Sequence, residues 1–145
     1  MGGPRIVPFE PAHLADLDPP VFDRRQMQRF AAAYRPAGPA FTLMAEGRAL
    51  GCAGLLVEGD EGRAWAFLSE ALRRCPLLLH RTVKRALPAL IDHYDLRQVT
   101  AEAHADFAAA RRWLERLGFR FEATLPRFAG TTEDYARYRL CRDWK

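Results

Sequence analysis

The run Ala108-Ala-Ala-Arg-Arg-Trp-Leu-Glu-Arg-Leu-Gly-Phe119 decides how this chain folds. Its apolar residues recur at the spacing of a helix, whereas those of the preceding segment, Gln98–His104, alternate as they do in a strand. Asp106 is placed to cap the helix, and Gly118 stands where helices end in a left-handed residue. Residues 119–128 alternate again, so the sequence predicts a strand, a short helix and a second strand in succession.

The remaining segments predict a mixed α/β architecture around this unit. In chain order they are a short edge strand from Arg5, a helical start near Pro11, a helix over residues 22–34, a hairpin of residues 40–46 and 49–58, a strand over 63–69, a long helix between 72 and 95, and a final strand over 134–142. Pro76 suits the first turn of the long helix, while Pro88 in its interior predicts a kink or a break. The final strand is predicted to be an edge strand that pairs with the strand beginning at residue 119.

The helix that ends in Leu-Gly-Phe, residues 110–119, and the elements around it closely resemble the C-terminal half of the GNAT acyltransferase superfamily. Three antiparallel strands, a helix and a strand parallel to the last of them are the order expected there. The resemblance implies the α/β class and a single GNAT-type domain over residues 1–145, with a twisted mixed sheet of six or seven strands and about four helices. It also implies an acyl-coenzyme A-dependent N-acyltransferase, in which an amine of a small molecule or a protein attacks the thioester directly.

Members of the superfamily bind the pyrophosphate of acetyl-coenzyme A on backbone N–H groups of a turn built from small residues, between the fourth strand and the next helix. Here Arg73 suits the first position of that signature, but Pro76 and Leu78 stand where the small residues belong. Two interpretations stay open: either basic side chains hold the cofactor at the helix N-terminus, or the site is degenerate. The cofactor contacts implied by the resemblance are Leu68, Ser69, Arg73 and Arg74, with Asp106 at the start of the later helix.

A general base for the amine has three candidates, which are Glu70 after the fourth predicted strand and Glu102 and His104 in the fifth. Glu102 and His104 share a strand face, and an adjacent carboxylate would orient the imidazole. The alternative is that they form a solvent-facing pair on a half-exposed strand. Leu114 stands where many members carry the tyrosine that protonates the leaving thiolate. Arg127, Phe128 and residues 135–139 could line an acceptor pocket or a partner surface, and the sequence does not choose between these.

Composition excludes several classes of protein. The net charge of +4 comes from arginine, because 20 of the 22 basic residues are arginines, and several alternate with acidic residues as on a solvated face. We therefore expect no nucleic-acid partner. No run approaches the ~20 apolar residues of a membrane span, and the N-terminus lacks a hydrophobic signal segment. Three cysteines without metal-ligand spacing indicate reduced thiols, so we expect a cytoplasmic protein without a metal site.

A second hypothesis is a GNAT-shaped domain without catalytic activity. A domain that has lost its phosphate cradle could serve as a binding or structural protein, and this chain is similar to GNAT-like proteins of tailed bacteriophages and prophages. On that hypothesis it would be a virion-associated or host-modifying component. The sequence also leaves open a homodimer or another protein assembly, in which the predicted edge strand over residues 134–142 pairs with a second copy.

Overall fold

A computed structural model describes residues 4–17, 24–73, 76–127 and 133–143. Its strands are β1 (Arg5–Pro8), β2 (Ala40–Ala45), β3 (Arg48–Glu58), β4 (Glu61–Leu68), β5 (Gln98–His104), β6 (Arg120–Leu125) and β7 (Tyr135–Cys141). Its helices are a short 3₁₀ helix (Pro11–Asp16), α1 (Arg24–Ala33), α2 (Glu70–Arg73), α3 (Pro76–His93) and α4 (Ala108–Arg116). The strands form one mixed sheet in the order β1-β2-β3-β4-β5-β7-β6, which confirms the predicted α/β fold. Within these ranges no helix is long and apolar enough to cross a membrane.

The first of two compact units holds residues 1–56 and 65–81. Here β1 lies at the sheet edge, antiparallel to β2, and β2 turns tightly into β3 at Gly47, where φ is +75°. The buried cluster of this unit consists of Leu14, Leu17, Met27, Ala49 and Cys52. A Cβ added to Gly51 would lie 2.5 Å from Cδ2 of Leu72. The missing side chain therefore lets α2 pack directly on β3, which explains the small residues in that strand.

The second unit holds residues 57–64 and 82–145. In it β4 and β5 pair in parallel, residues 61–64 with 98–101, and β7 runs antiparallel to β5 over its full length. β7 also pairs with β6 on its other side, as predicted. The prediction that residues 134–142 form an edge strand is wrong, because β6 takes the edge position. Alternation shows which face of a strand is buried but not which strands lie beside it.

One prediction about the helices is narrowed and another is corrected. α3 continues through Pro88 without a break, and the alternative of a kink stays a prediction. Asp106 does not cap α4, since the helix begins after Phe107 and has no side-chain cap hydrogen bond. The N–H of Phe107 donates to the carbonyl of His104, and this turn moves the start of the helix one residue along the chain. The positive φ predicted for Gly118 is confirmed at +103°. Residues 22, 23 and 128, at the ends of two predicted elements, lie outside the described residues.

Candidate active site

One face of β5 and β7 carries a row of polar side chains in the second unit. On β5 the residues Gln98, Thr100, Glu102 and His104 are half-buried and alternate with the buried Val99, Ala101 and Ala103. The antiparallel register places His104 opposite Tyr135, Glu102 opposite Arg137 and Thr100 opposite Arg139. Directly opposed residues point to the same side of a sheet. We call this surface, formed by Thr100, Glu102, His104, Tyr135, Arg137 and Arg139, the polar face.

Glu102 holds a carboxylate that is only half satisfied. Its Oε1 accepts a hydrogen bond from Nη2 of Arg63 at 2.9 Å, and its side chain is only 7% exposed. Oε2 is buried and has no hydrogen-bond partner in the described part of the chain. A buried carboxylate oxygen without a donor is unfavourable, because burial removes the water that would otherwise bind it. The pairing of β4 with β5 ends at Ala101, so Glu102 lies just beyond the parallel ladder.

His104 uses both ring nitrogens within the protein. Its Nδ1 accepts a hydrogen bond from the backbone N–H of Asp106 at 3.1 Å, and its Nε2 lies 2.7 Å from Oε2 of Glu133. Since a backbone N–H can only donate, Nδ1 carries no proton in this arrangement, and the proton on Nε2 is donated to Glu133. His104 can act as a base only after it gives up one of these two bonds.

The expected pair of Glu102 with His104 is not formed. Residues two apart on a strand lie on the same face about 6.6 Å apart, but no hydrogen bond joins these two side chains. Each side chain binds a partner from another segment instead, Arg63 in one case and Glu133 in the other. Sequence reasoning identified both residues of the strand and missed both partners, because neither partner is close to them in sequence.

Arg137 is the most unusual side chain on the polar face. It is half-buried, its Nε is buried without an acceptor, and its guanidinium forms no ion pair with any described residue. Its neighbour on the same face, Arg139, forms an ion pair with Glu122 and donates to the side-chain oxygen of Gln98. The Nε of Arg139 is also buried without a partner. The range 135–139 was predicted to line a pocket or a partner surface, and the structure places two of its arginines on this face.

The residues predicted around the fourth strand lie in the first unit. Ser69 is buried, and its N–H donates to the carbonyl of Leu50 at 2.9 Å. Its hydroxyl accepts a hydrogen bond from the N–H of Leu72 at 3.4 Å, so Ser69 caps α2. Leu68 ends β4, and the half-buried Glu70 begins α2. The N–H of Ser69 and one acceptor position of its hydroxyl are thus engaged within the protein, and its contact with a cofactor stays a prediction.

The sequence between α2 and α3 contains no glycine and so does not offer a glycine-built cradle. α2 ends at Arg73 and α3 begins at Pro76, whose ring nitrogen has no hydrogen to donate. Arg74 lies outside the described residues, and so does the side chain of Arg73. Further along α3 the basic side chains include His80, which is half-buried, and the exposed Arg81, Lys84 and Arg85. The phosphates of a bound coenzyme A would therefore have to rely on charged side chains at least in part. The backbone N–H of Asp106, also predicted as a contact, is taken by His104.

Solved structures show which fold this is. The ribosomal-protein-S18-alanine N-acetyltransferase from Escherichia coli matches with a TM-score of 0.76 at 18% identity, over 99% of this chain and 96% of that protein. A chimaeric spermidine N-acetyltransferase from Vibrio cholerae matches at 0.70 with 13% identity, over 97% and 96% of the two chains. An acetyltransferase of the GNAT family from Streptococcus pneumoniae matches at 0.66 with 14% identity, over 96% and 99%.

Comparison of the sequence alone gives no such match. No model of a protein family matches the chain, and no curated protein does so. At identities of 13 to 18% the similarity of the structures shows the fold, which is the GNAT fold predicted from the helix that ends in Leu-Gly-Phe. The similarity to phage proteins stays a prediction.

Proposed function

We propose that this protein is an acyl-coenzyme A-dependent N-acyltransferase, which transfers an acyl group to an amine of a small molecule or a protein. Whole-length similarity in fold to N-acetyltransferases supports the reaction class. The observation that carries the proposal in this chain is the buried carboxylate of Glu102, whose Oε2 has no donor among the described residues. An amine is a donor of the required kind.

Glu102 is the best placed of the three predicted bases. Arg63 holds its Oε1 at 2.9 Å and so fixes the plane of the carboxylate. Oε2 can then accept a hydrogen bond from the acceptor amine and take the proton that the nitrogen loses. His104 would first have to break a bond, to Glu133 or to the N–H of Asp106. Glu70, in the first unit, shows no comparable combination of burial and an unsatisfied oxygen.

The remaining parts of the transfer reaction are the thioester, the proton for the leaving thiolate and the contacts to the cofactor phosphates. Bound acetyl-coenzyme A supplies an acyl thioester, in which the carbon–sulfur bond is replaced by a carbon–nitrogen bond. Glu102 holds the amine and removes its proton. Leu114, which is buried, occupies the position of the usual tyrosine and has no proton to donate to the leaving thiolate. Solvent can protonate the thiolate instead. The basic side chains Arg73, Arg74, His80, Arg81 and Lys84 are the candidates for the cofactor phosphates.

Calorimetric titration with acetyl-coenzyme A tests the first step of this proposal. We expect micromolar binding by the wild type, and at least a ten-fold loss in the double variant Arg73→Ala with Arg74→Ala. Arg48→Ala is the matched control, because it removes an exposed arginine from the β2–β3 turn region. Release of free thiol in the presence of an amine panel then tests transfer. No binding at millimolar cofactor would reject the enzyme and favour the hypothesis of a GNAT-shaped binding or structural protein.

A further inference from the structure

Unsatisfied polar atoms of opposite kind lie next to each other on the polar face. Oε2 of Glu102 is an acceptor without a donor, and Nε of Arg137 is a donor without an acceptor. The two residues are direct cross-strand partners in the β5–β7 ladder. Directly opposed residues of an antiparallel pair have Cβ atoms roughly 4.5–5.5 Å apart. The two unsatisfied groups therefore lie within the span of one small molecule.

Arg137 lacks a counter-ion in the described part of the chain because the neighbouring carboxylates already pair with other cationic side chains. Glu102 binds Arg63, and Glu122 binds Arg139. The carboxylates of Glu102 and Glu122 are thus engaged by other arginines, and that of Glu133 is engaged by His104. Arg137 makes no ion pair with a described residue. A half-buried guanidinium that has lost part of its hydration is stabilised most effectively by a carboxylate or phosphate that it can bind in a bidentate manner.

The geometry points to an acceptor that carries both groups: we infer that Arg137 binds a carboxylate of the acceptor while Glu102 holds its amine. The acceptor class is then an amino acid. This inference rests on the proposed function, because it takes the amine beside Glu102 to be the group that is acylated. A polyamine fits less well, because a second cation would lie beside the uncompensated charge of Arg137.

Acyl transfer to three matched mixtures tests the inference. They are the twenty amino acids, the corresponding amino-acid amides, and the amines that lack the carboxylate altogether. For the wild type we expect kcat/KM to be about 10- to 100-fold higher for the amino acids than for the other two mixtures. Arg137→Gln should remove this preference mainly through a higher KM for amino acids, and Arg137→Lys should keep part of it. Arg112→Gln, which removes an exposed arginine from α4, should leave it unchanged.

The outcomes separate the inference from the function on which it rests. Equal rates with amides or simple amines, or an equal loss for all acceptors in Arg137→Gln, would overturn the inference while leaving the acyltransferase in place. If no acceptor reacts, the acyltransferase proposal fails. Calorimetric titration of the protein with amino acids then decides by itself whether Arg137 binds a carboxylate. Binding that is lost in Arg137→Gln and kept in Arg112→Gln would then support the carboxylate site, and absence of binding would overturn it. Melting curves of each variant identify any that fails to fold.

Discussion

The two ends of β5 carry their charges in opposite ways. Just before the strand, Arg97 pairs with Asp60 at 3.4 Å and with Glu61 at 3.3 Å, and all three side chains are well exposed. Near its other end, Glu102 and Arg137 are buried or half-buried, and each keeps a polar atom without a partner. The first arrangement is complete within the protein, whereas in the second two polar atoms have no partner among the described residues.

The exposed end has the properties of a structural charge network. A shallow depression of about 390 Å³ is lined by Asp60, Asp95, Arg97, Arg142 and Asp143. Its arginines are paired, and the hydrogen bond from Arg142 to Asp95 raises the pKa of that guanidinium. Exposed pairs contribute little, because water solvates the separated charges almost as well. A concave shape that is lined by satisfied charges gives no reason to expect a ligand.

Unsatisfied atoms at the other end have a real energetic cost. A buried donor or acceptor without a partner destabilises a protein by roughly 1–3 kcal/mol. In our proposal both atoms gain a partner when the acyl acceptor is bound, and they lie on residues that are cross-strand partners. The comparison therefore predicts that changes at Glu102 and Arg137 affect function most, and that changes at Arg97 affect only stability.

The largest expected effect is on catalysis by Glu102→Gln. Glutamine keeps the shape of the side chain but cannot take a proton from the amine, so kcat should fall by about 10²- to 10⁴-fold. Affinity for acetyl-coenzyme A should change by less than about two-fold, because we place the cofactor phosphates on other residues. Steady-state kinetics and calorimetry measure the two quantities.

Two control variants make this measurement decisive. Glu58→Gln removes an exposed carboxylate at the end of β3 and should be as active as the wild type. His104→Gln should lose only about ten-fold, since both its ring nitrogens already serve the protein. The reverse ranking, with His104→Gln inactive and Glu102→Gln active, would make His104 the base and end the assignment of Glu102.

Cys52 is a buried polar group that, unlike Oε2 of Glu102, has a hydrogen-bond partner, the hydroxyl of Thr42. Burial raises the pKa of its thiol from 9.0 to about 11, the hydrogen bond with Thr42 opposes this shift, and the charge of Asp16 adds to it. Below pH 9 the thiol is protonated in both states and the full contribution to stability is present. Between pH 9 and 11 the unfolded chain releases the proton first, so stability falls as pH rises, by roughly 2–3 kcal/mol.

Urea unfolding at pH 8 and pH 11 measures this loss. The matched variant is Cys52→Ala, which has no thiol at this position while every other titrating group is kept. We expect the decrease in the free energy of unfolding to be larger in the wild type by about 2–3 kcal/mol. Equal decreases in the two proteins would show that the thiol ionises at its ordinary pH in the folded state.

The sequence predicted the fold well because local patterns decide most of it. The strand over Gln98–His104 and the helix that ends at Gly118 follow from a change of period and from a residue that accepts positive φ. The long helix follows from Pro76 and an apolar stripe. The order of β6 and β7 could not be predicted, because lateral neighbours in a sheet depend on contacts that alternation along a single strand does not encode.

The candidate site was predicted only in part, for a related physical reason. Alternation placed Glu102 and His104 on one face, which the burial of β5 bears out. Their actual partners, Arg63 and Glu133, come from segments 39 and 29 residues away in sequence, and no local pattern connects such positions. The significance of Arg137 became visible only when β7 was found beside β5 rather than at the edge.

Stability should respond in opposite directions to two variants on neighbouring positions of β7. Arg137→Leu removes a half-buried cation that lacks an ion pair, so we expect the free energy of unfolding to rise by about 1–2 kcal/mol. Arg139→Leu removes the partner of Glu122 and of Gln98, so it should lower stability by a similar amount. Urea unfolding measures both. A loss of stability in Arg137→Leu would mean that this arginine already has a favourable environment in the free protein.

The smallest effect is expected at the exposed end of β5. Arg97→Leu breaks the pairs with Asp60 and Glu61 and should lower the free energy of unfolding by less than about 1 kcal/mol at low salt. The difference from the wild type should shrink further in 1 M NaCl, where the Debye length is about 3 Å and exposed charges are screened. Acyl transfer should not change in either condition. If Arg97→Leu instead remained folded but abolished acyl transfer, an exposed and paired arginine would be required for function. The lack of an ion pair would then no longer identify Arg137 as a functional residue.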